Sequence, residues 1–179
     1  EKTWKSLLDG DCGINTIESF DTSDQSVHIA GEVRDFNPED YIQKKELKKL
    51  GRFSQFAIAA SKMALDDAKL DINESNATRV GVIIGSGIGA LEVIETEIGK
   101  MIEKGPKRIS PFYIPAVITN MASGNVSIYT GAKGPNKAIV TACASGTHSI
   151  GDAFQTILLG KADAIIAGGS EATITRSGI

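Results

Sequence analysis

Histidine and cysteine are scarce in this 179-residue chain, two of each, and tryptophan occurs once. Cys12 and Cys143 stand far apart, so no disulfide framework can be read and a reducing, cytoplasmic setting is expected. No spacing of cysteine and histidine suits a metal, and no cofactor is expected. No apolar run reaches the roughly 18 to 20 residues that a membrane span needs. The opening EKTWKSLLDGDCGI lacks the basic start, apolar centre and small-residue cleavage site of a secretory signal. Hydrophobic content of 41% and charged content of 23% describe a globular α/β chain long enough for one domain with a real core. The net charge of −3 argues against nucleic-acid binding. Positive charge is nevertheless concentrated, because residues 44–52 carry +4 and the remainder −7.

Residues 1–42 show no sustained period and predict loops with one or two short strands. From Lys45 to Lys69 the residues Leu47, Leu50, Phe53, Ala57, Ala60, Ala64 and Ala68 recur at helical spacing, predicting a long helix interrupted only at Gly51. RVGVII (79–84) is a continuous apolar strand, expected to be buried on both faces. A helix marked by Leu91, Ile94, Ile98, Met101 and Ile102 follows and ends at Gly105 and Pro106. After the loop ISPFYIP a helical stretch runs through Ile128, and residues 131–136 form a turn. A strand leads into Cys143, a helix follows, and a last strand spans Ala162 to Ala167. Strand and helix alternate, which implies a parallel sheet covered by helices.

KAIVTACASGTHSIGDAF (137–154) carries the chemistry. Ile139 and Val140 are β-branched and apolar, Ala144 to Gly146 keep the next turn small, and Ile150, Ala153, Phe154, Ile157 and Leu158 mark one helical face. Cys143 is thereby placed at a helix N-terminus, where unpaired N–H groups and the macrodipole favour thiolate over thiol. The alternative is a small buried cysteine packed between strand and helix. A thiolate nucleophile needs a base, and neither histidine supplies one convincingly. His148 stands five positions after Cys143, about 140° away around a helix, and His28 sits in an alternating strand-like stretch.

GSGIGA (85–90) satisfies G-x-G-x-x-A between a strand and a helix, so a dinucleotide-binding oxidoreductase is the rival reading from another class. No second strand ending in an acidic residue follows at the required distance. Glycines serving a tight turn, or a loop in which Ile88 borders a channel for an apolar substrate, are the competing accounts.

TACASGTHSIGDAF, ATRVGVIIGSGIGALEVIE, GPKRISPFYIPAVITNMASGNVSI and GKADAIIAGGSEATIT together resemble the elongating, type II β-ketoacyl-[acyl-carrier-protein] synthases, with polyketide-type ketosynthases as close kin. The resemblance spans essentially the whole chain. It implies the thiolase-like fold, layered α-β-α-β-α over two similar halves, a homodimer, and elongation of fatty acids by decarboxylative condensation. By the same resemblance Cys143 is the acyl-accepting nucleophile and Ile88 borders the acyl pocket. Lys45, Lys48 and Lys49 with Lys107 and Arg108 match the docking surface for acyl carrier protein; a solvated helix face is the plainer account of that charge. The resemblance places two catalytic histidines and a lysine beyond Ile179 and a first strand before Glu1. The chain is therefore expected to be the N-terminal half of a longer enzyme, inactive and poorly soluble by itself.

Overall fold

The computed structural model describes residues 2–179, which fall into two compact units. The smaller unit comprises residues up to Phe36 together with Ile174–Ile179. It holds a helix, α1 (Lys2–Asp9), where loops are expected, and one antiparallel pair, β1 (Asn15–Thr16) with β2 (Ile29–Ala30). Glu32 stitches this unit: its carboxylate accepts the Glu18 and Ser19 amides and pairs with Arg34 at 3.2 Å. Hydrogen bonding by Ser19 and by the Glu18 amide draws its pKa down to about 2.

The larger unit, Asn37–Thr173, is a three-stranded parallel sheet in the order β4-β3-β5, clothed by helices. β3 (Val80–Gly85) is central and buried at every position, as its unbroken apolar run predicts. It pairs with β4 (Asn136–Lys137) on one side and, from Val80↔Ala164 to Gly85↔Gly169, with β5 (Ala164–Gly169) on the other. Strand alternation divides its residues between two layers. Val80, Val82 and Ile84 join the core formed with Phe53, Ala57, Ile58, Ala122 and Val126, from α3 (Arg52–Ala68) and α6 (Met121–Thr130). Gly85 points the other way, where an added Cβ would lie 2.8 Å from the Ser145 Cβ of α7 (Ser145–Leu158).

The long helix expected from Lys45 is two helices, α2 (Lys44–Leu47) and α3, separated at residues 48–51. Gly51 ends the continuity because its backbone is extended and jammed against a neighbouring helix entry: an added Cβ would come within 2.9 Å of the Ala116 carbonyl and closer to Ala90. The first amide of α3 is capped from outside, by Glu92 Oε1 of α4 (Leu91–Lys104) at 2.7 Å. α4 also buries Glu97, whose carboxylate takes Lys100 Nζ at 2.6 Å and the Ser110 amide at 2.7 Å. α5 (Tyr113–Val117) begins inside the expected loop ISPFYIP, and the helical stretch read after that loop is α6 from Met121.

The strand predicted to enter Cys143 stops at Lys137, leaving residues 138–142 irregular and Val140 exposed. The apolar stripe of α7 differs from expectation too. The helix rests on the sheet by Ser145, Ser149, Ala153 and Thr156, while Ile150, Phe154, Ile157 and Leu158 are exposed. Small residues permit that close seating, since a Cβ on Gly169 would lie 2.8 Å from the Gly146 Cα. No helix among the described residues is long and apolar enough to cross a membrane.

Candidate active site

At the carboxyl ends of β3 and β5, where parallel sheets present their ligands, the chain turns sharply through Thr141, Ala142 and Cys143. Ala142 has φ of +52°, a left-handed conformation that costs a residue bearing Cβ free energy and persists only when its surroundings impose it. Ser145 imposes it here. Its hydroxyl accepts the Thr141 amide at 2.9 Å and donates to the Ala142 carbonyl at 2.7 Å. The Ala144 and Ser145 amides close the same turn onto the carbonyls of Thr141 and Ala142, each at 3.1 Å. Cys143 is thus held two residues ahead of α7, on a stapled elbow, and it is exposed. The buried-cysteine alternative fails. A strained turn of this kind leaves the sulfur accessible beyond the ends of the strands.

Glycine makes the elbow possible. A Cβ on Gly85 would strike the Ile139 carbonyl at 2.6 Å and the Ser145 carbonyl at 2.7 Å, so any larger residue would push the turn outward. Gly87 lies against it as well, with an added Cβ 3.3 Å from the Ala142 Cα.

The histidines sit elsewhere in the bonding scheme. His148 Nδ1 meets Thr141 Oγ1 at 2.7 Å, reaching back one turn to brace the elbow. His28, in the smaller unit, is 3.3 Å from Thr22 Oγ1. Both are exposed.

The loop 85–90 carries Ile88, half-exposed at 52%, and its donors are already engaged. The Gly87 and Ile88 amides donate to Glu171 Oε2 at 2.6 and 3.2 Å, and the Ser86 hydroxyl and Gly89 amide to Oε1 at 3.0 and 3.3 Å. An internal carboxylate therefore occupies the concavity that a dinucleotide pyrophosphate would need. That disposes of the fingerprint reading. Sequence reasoning missed Glu171 because its partners lie more than 80 residues away. It missed Ser145 for another reason: a hydroxyl beside a cysteine is common, and only the dihedral of Ala142 reveals its task.

Of the basic residues, Lys49 reaches Phe112. Lys49 lies 5.3 Å from that ring and is ion-paired with Glu46 at 3.0 Å, joining the residue 44–52 cluster to the segment that follows Lys107 and Arg108. Lys45, Lys48, Lys107 and Arg108 are exposed. Among the described residues no group of three or more acidic, histidine or cysteine side chains could hold a metal.

Known proteins are similar to this chain in sequence and in fold. The chain is 54% identical over 177 residues to a 3-oxoacyl-[acyl-carrier-protein] synthase 2 of Staphylococcus aureus, covering 99% of this chain and 44% of that protein. It is 51% identical over 179 residues to the Vibrio cholerae serotype O1 protein of the same name, covering 100% of this chain and 43% of the relative. The chain thus spans less than half the length of these relatives. Among solved structures it is similar to the ishigamide ketosynthase/chain length factor, with a TM-score of 0.86 at 27% identity over 97% of this chain and 43% of that one. It is also similar to a type II polyketide ketosynthase in complex with its acyl-carrier protein, with a TM-score of 0.76 at 28% identity over 80% of this chain and 42% of that one. The fold is the thiolase-like one of these ketosynthases. The sequence profile of the β-ketoacyl synthase N-terminal domain matches residues 1–179, elbow and glycine loop included, and the chain belongs to that family.

Proposed function

We propose that this chain is the nucleophile-bearing half of a β-ketoacyl-[acyl-carrier-protein] synthase that elongates fatty acids. The observation that carries the reading is the exposed Cys143 on its strained, Ser145-stapled elbow. Cys143 Sγ attacks the thioester carbonyl of an acyl carrier, the carrier thiol leaves, and the acyl chain stays on the cysteine. Malonyl carrier then loses carbon dioxide, its carbanion attacks that thioester, and Sγ leaves with a chain longer by two carbons on the carrier. In this reading the protonation steps fall to groups other than His28 and His148, whose Nδ1 atoms meet the hydroxyls of Thr22 and Thr141.

The half-exposed Ile88 borders the acyl channel in this reading, and exchange for a larger aromatic shortens the chains accepted. Lys45 and Lys48, with Lys107 and Arg108, form the docking surface for the acidic carrier, and Lys49 fixes the surface by holding Glu46 and Phe112. Reversing Lys45 and Lys48 raises KM for carrier-bound substrates and spares small thioesters, because rim charges act mainly on association. The rest of the protein covers the α7 stripe, and the whole enzyme works as a cytoplasmic homodimer. Relatives more than twice as long, and a helix with four large apolar residues exposed, support that cover.

The test is mass spectrometry of the full-length protein incubated with acyl carrier protein bearing a saturated chain. An acyl adduct on Cys143, absent from Cys143→Ala, and a β-ketoacyl product on adding malonyl carrier are expected. No adduct on a folded protein would remove the proposal. A polyketide ketosynthase has the same chemistry and is favoured by the polyketide neighbours at 27–28% identity. Continued extension of unreduced β-keto chains would identify that instead.

A further inference from the structure

The loop that follows β3 forms one side of the elbow, and little within the loop itself holds it there. Its amides of Gly87, Ile88 and Gly89 converge on one point. Of the bonds inside it, one is the 3.1 Å contact from the Gly89 amide to Ser86 Oγ. The converging donors are met by a side chain from another strand. Glu171 follows β5, and the Ser170 amide, bonded to the Gly85 carbonyl at 3.0 Å, registers the two strand ends before the carboxylate reaches across. Each oxygen serves two donors, Oε2 the Gly87 and Ile88 amides and Oε1 the Ser86 hydroxyl and Gly89 amide. Gly87 is thereby clamped between two bodies: an added Cβ would lie 3.0 Å from Glu171 Oε2 and 3.3 Å from the Ala142 Cα.

We propose that Glu171 is a positioning residue that locks residues 86–89 against the elbow and so fixes the wall past which an acyl chain reaches Cys143. The inference rests on the condensing reading above and deepens it. Charge and shape both matter to the lock. A carboxylate offers two oxygens to four donors, whereas an amide presents an N–H₂ group to at least one of them, and alanine leaves the loop donors to water. The elbow has its own staple in Ser145, so releasing the loop leaves the nucleophile in place while the wall moves. Selectivity among chains is therefore affected before reactivity of the sulfur.

The test compares full-length wild type, Glu171→Gln and Glu171→Ala. Three readouts are taken: kcat/KM for acylation of Cys143 by long and short saturated acyl carriers, alkylation of Cys143 by iodoacetamide, and the thermal midpoint. For Glu171→Ala the long-to-short ratio shifts about tenfold, with alkylation within twofold of wild type. Glu171→Gln shifts the ratio in the same direction and by less, and it carries the test should the alanine variant not fold. Formate or acetate, which can occupy the vacated carboxylate site, restores part of the ratio to Glu171→Ala. A ratio within twofold of wild type in the folded variants overturns the proposal. So does a uniform loss at all chain lengths that follows a lowered midpoint, since a merely structural role gives that. Wild-type protein that is never acylated at Cys143 removes the condensing reading and this inference together; normal wild-type acylation with an unmoved ratio removes the inference alone.

Discussion

Helices α3 and α7 both carry large apolar residues, yet those residues lie in opposite surroundings. Phe53 and Ile58 of α3 are 0% exposed, whereas Phe154 and Leu158 of α7 are 62% and 69% exposed. α3 turns Phe53 and Ile58 into the core of the larger unit, with the sheet and α6. α7 turns small residues inward, because the close seating of Gly146 on Gly169 leaves no room for more. Its buried hydroxyls are satisfied within the helix, Ser149 Oγ donating to the Ser145 carbonyl at 2.8 Å and Thr156 Oγ1 to that of Asp152 at 2.7 Å. A helical period thus marks a face to be buried without saying against what. The close seating also serves chemistry, for it brings the start of α7, and with it the elbow, down onto the ends of β3 and β5.

The largest expected effect breaks the comparison outright. Phe53→Ala opens a cavity in the core and costs about 3–5 kcal/mol of stability. Phe154→Ala is expected to match it in the full-length protein, where the proposed second half covers the stripe. Chemical denaturation decides: a loss within about 0.5 kcal/mol for Phe154→Ala means that the α7 stripe stays at the surface.

Glycines sharpen the same contrast. Gly85→Ala forces a Cβ onto the carbonyls of Ile139 and Ser145, and about 1–3 kcal/mol is expected to be lost, together with most Cys143 acylation as the elbow shifts. Gly151 lies in α7 with open space where its Cβ would be. It stands one turn from Phe154 and two from Leu158, within the stripe proposed to be covered, so Gly151→Ala is expected to lose stability in the full-length protein. A gain of up to about 1 kcal/mol from helix propensity, read from the midpoint of unfolding, would mean that this face stays open.

The smallest effect concerns pH. Glu97 is held below the ordinary carboxylate range, first by its hydrogen bond from Lys100 and then by the Ser110 amide. A carboxylate with a lowered folded pKa contributes stability that is present above its unfolded value and lost as pH falls through the folded one. Glu97→Gln is accordingly less stable than wild type at neutral pH, and the two converge as pH falls below the ordinary carboxylate range, in a series of denaturation curves. A constant gap across that range would mean that packing, rather than charge, accounts for Glu97.

Much of this molecule is legible in its residues. RVGVII announces a buried central strand because no polar residue breaks it, and the small residues around Cys143 announce a turn built for close approach. The sequence marks an interruption of the 45–69 helix at Gly51, but not that it parts two helices, because Gly51 is packed against Ala90 and Ala116, some 40 and 65 positions away. Nothing local to the sequence sets Glu97 apart, and only the approach of the Ser110 amide gives its carboxylate a second partner. The short strand expected to run into Cys143 stops at Lys137, where its pairing with β3, at Val82 and Ile83, ends.

The sequence by itself determined the alternation of strands and helices, the place of Cys143 ahead of a helix, and the motifs that mark the family, because periodicity, glycine placement and residue order are local. Tertiary structure alone decided the strain at Ala142, the outward stripe of α7 and the grip of Glu171 on residues 86–89. Each depends on groups brought together by packing, and hydrogen-bond geometry and excluded volume act through space, whatever the distance along the chain.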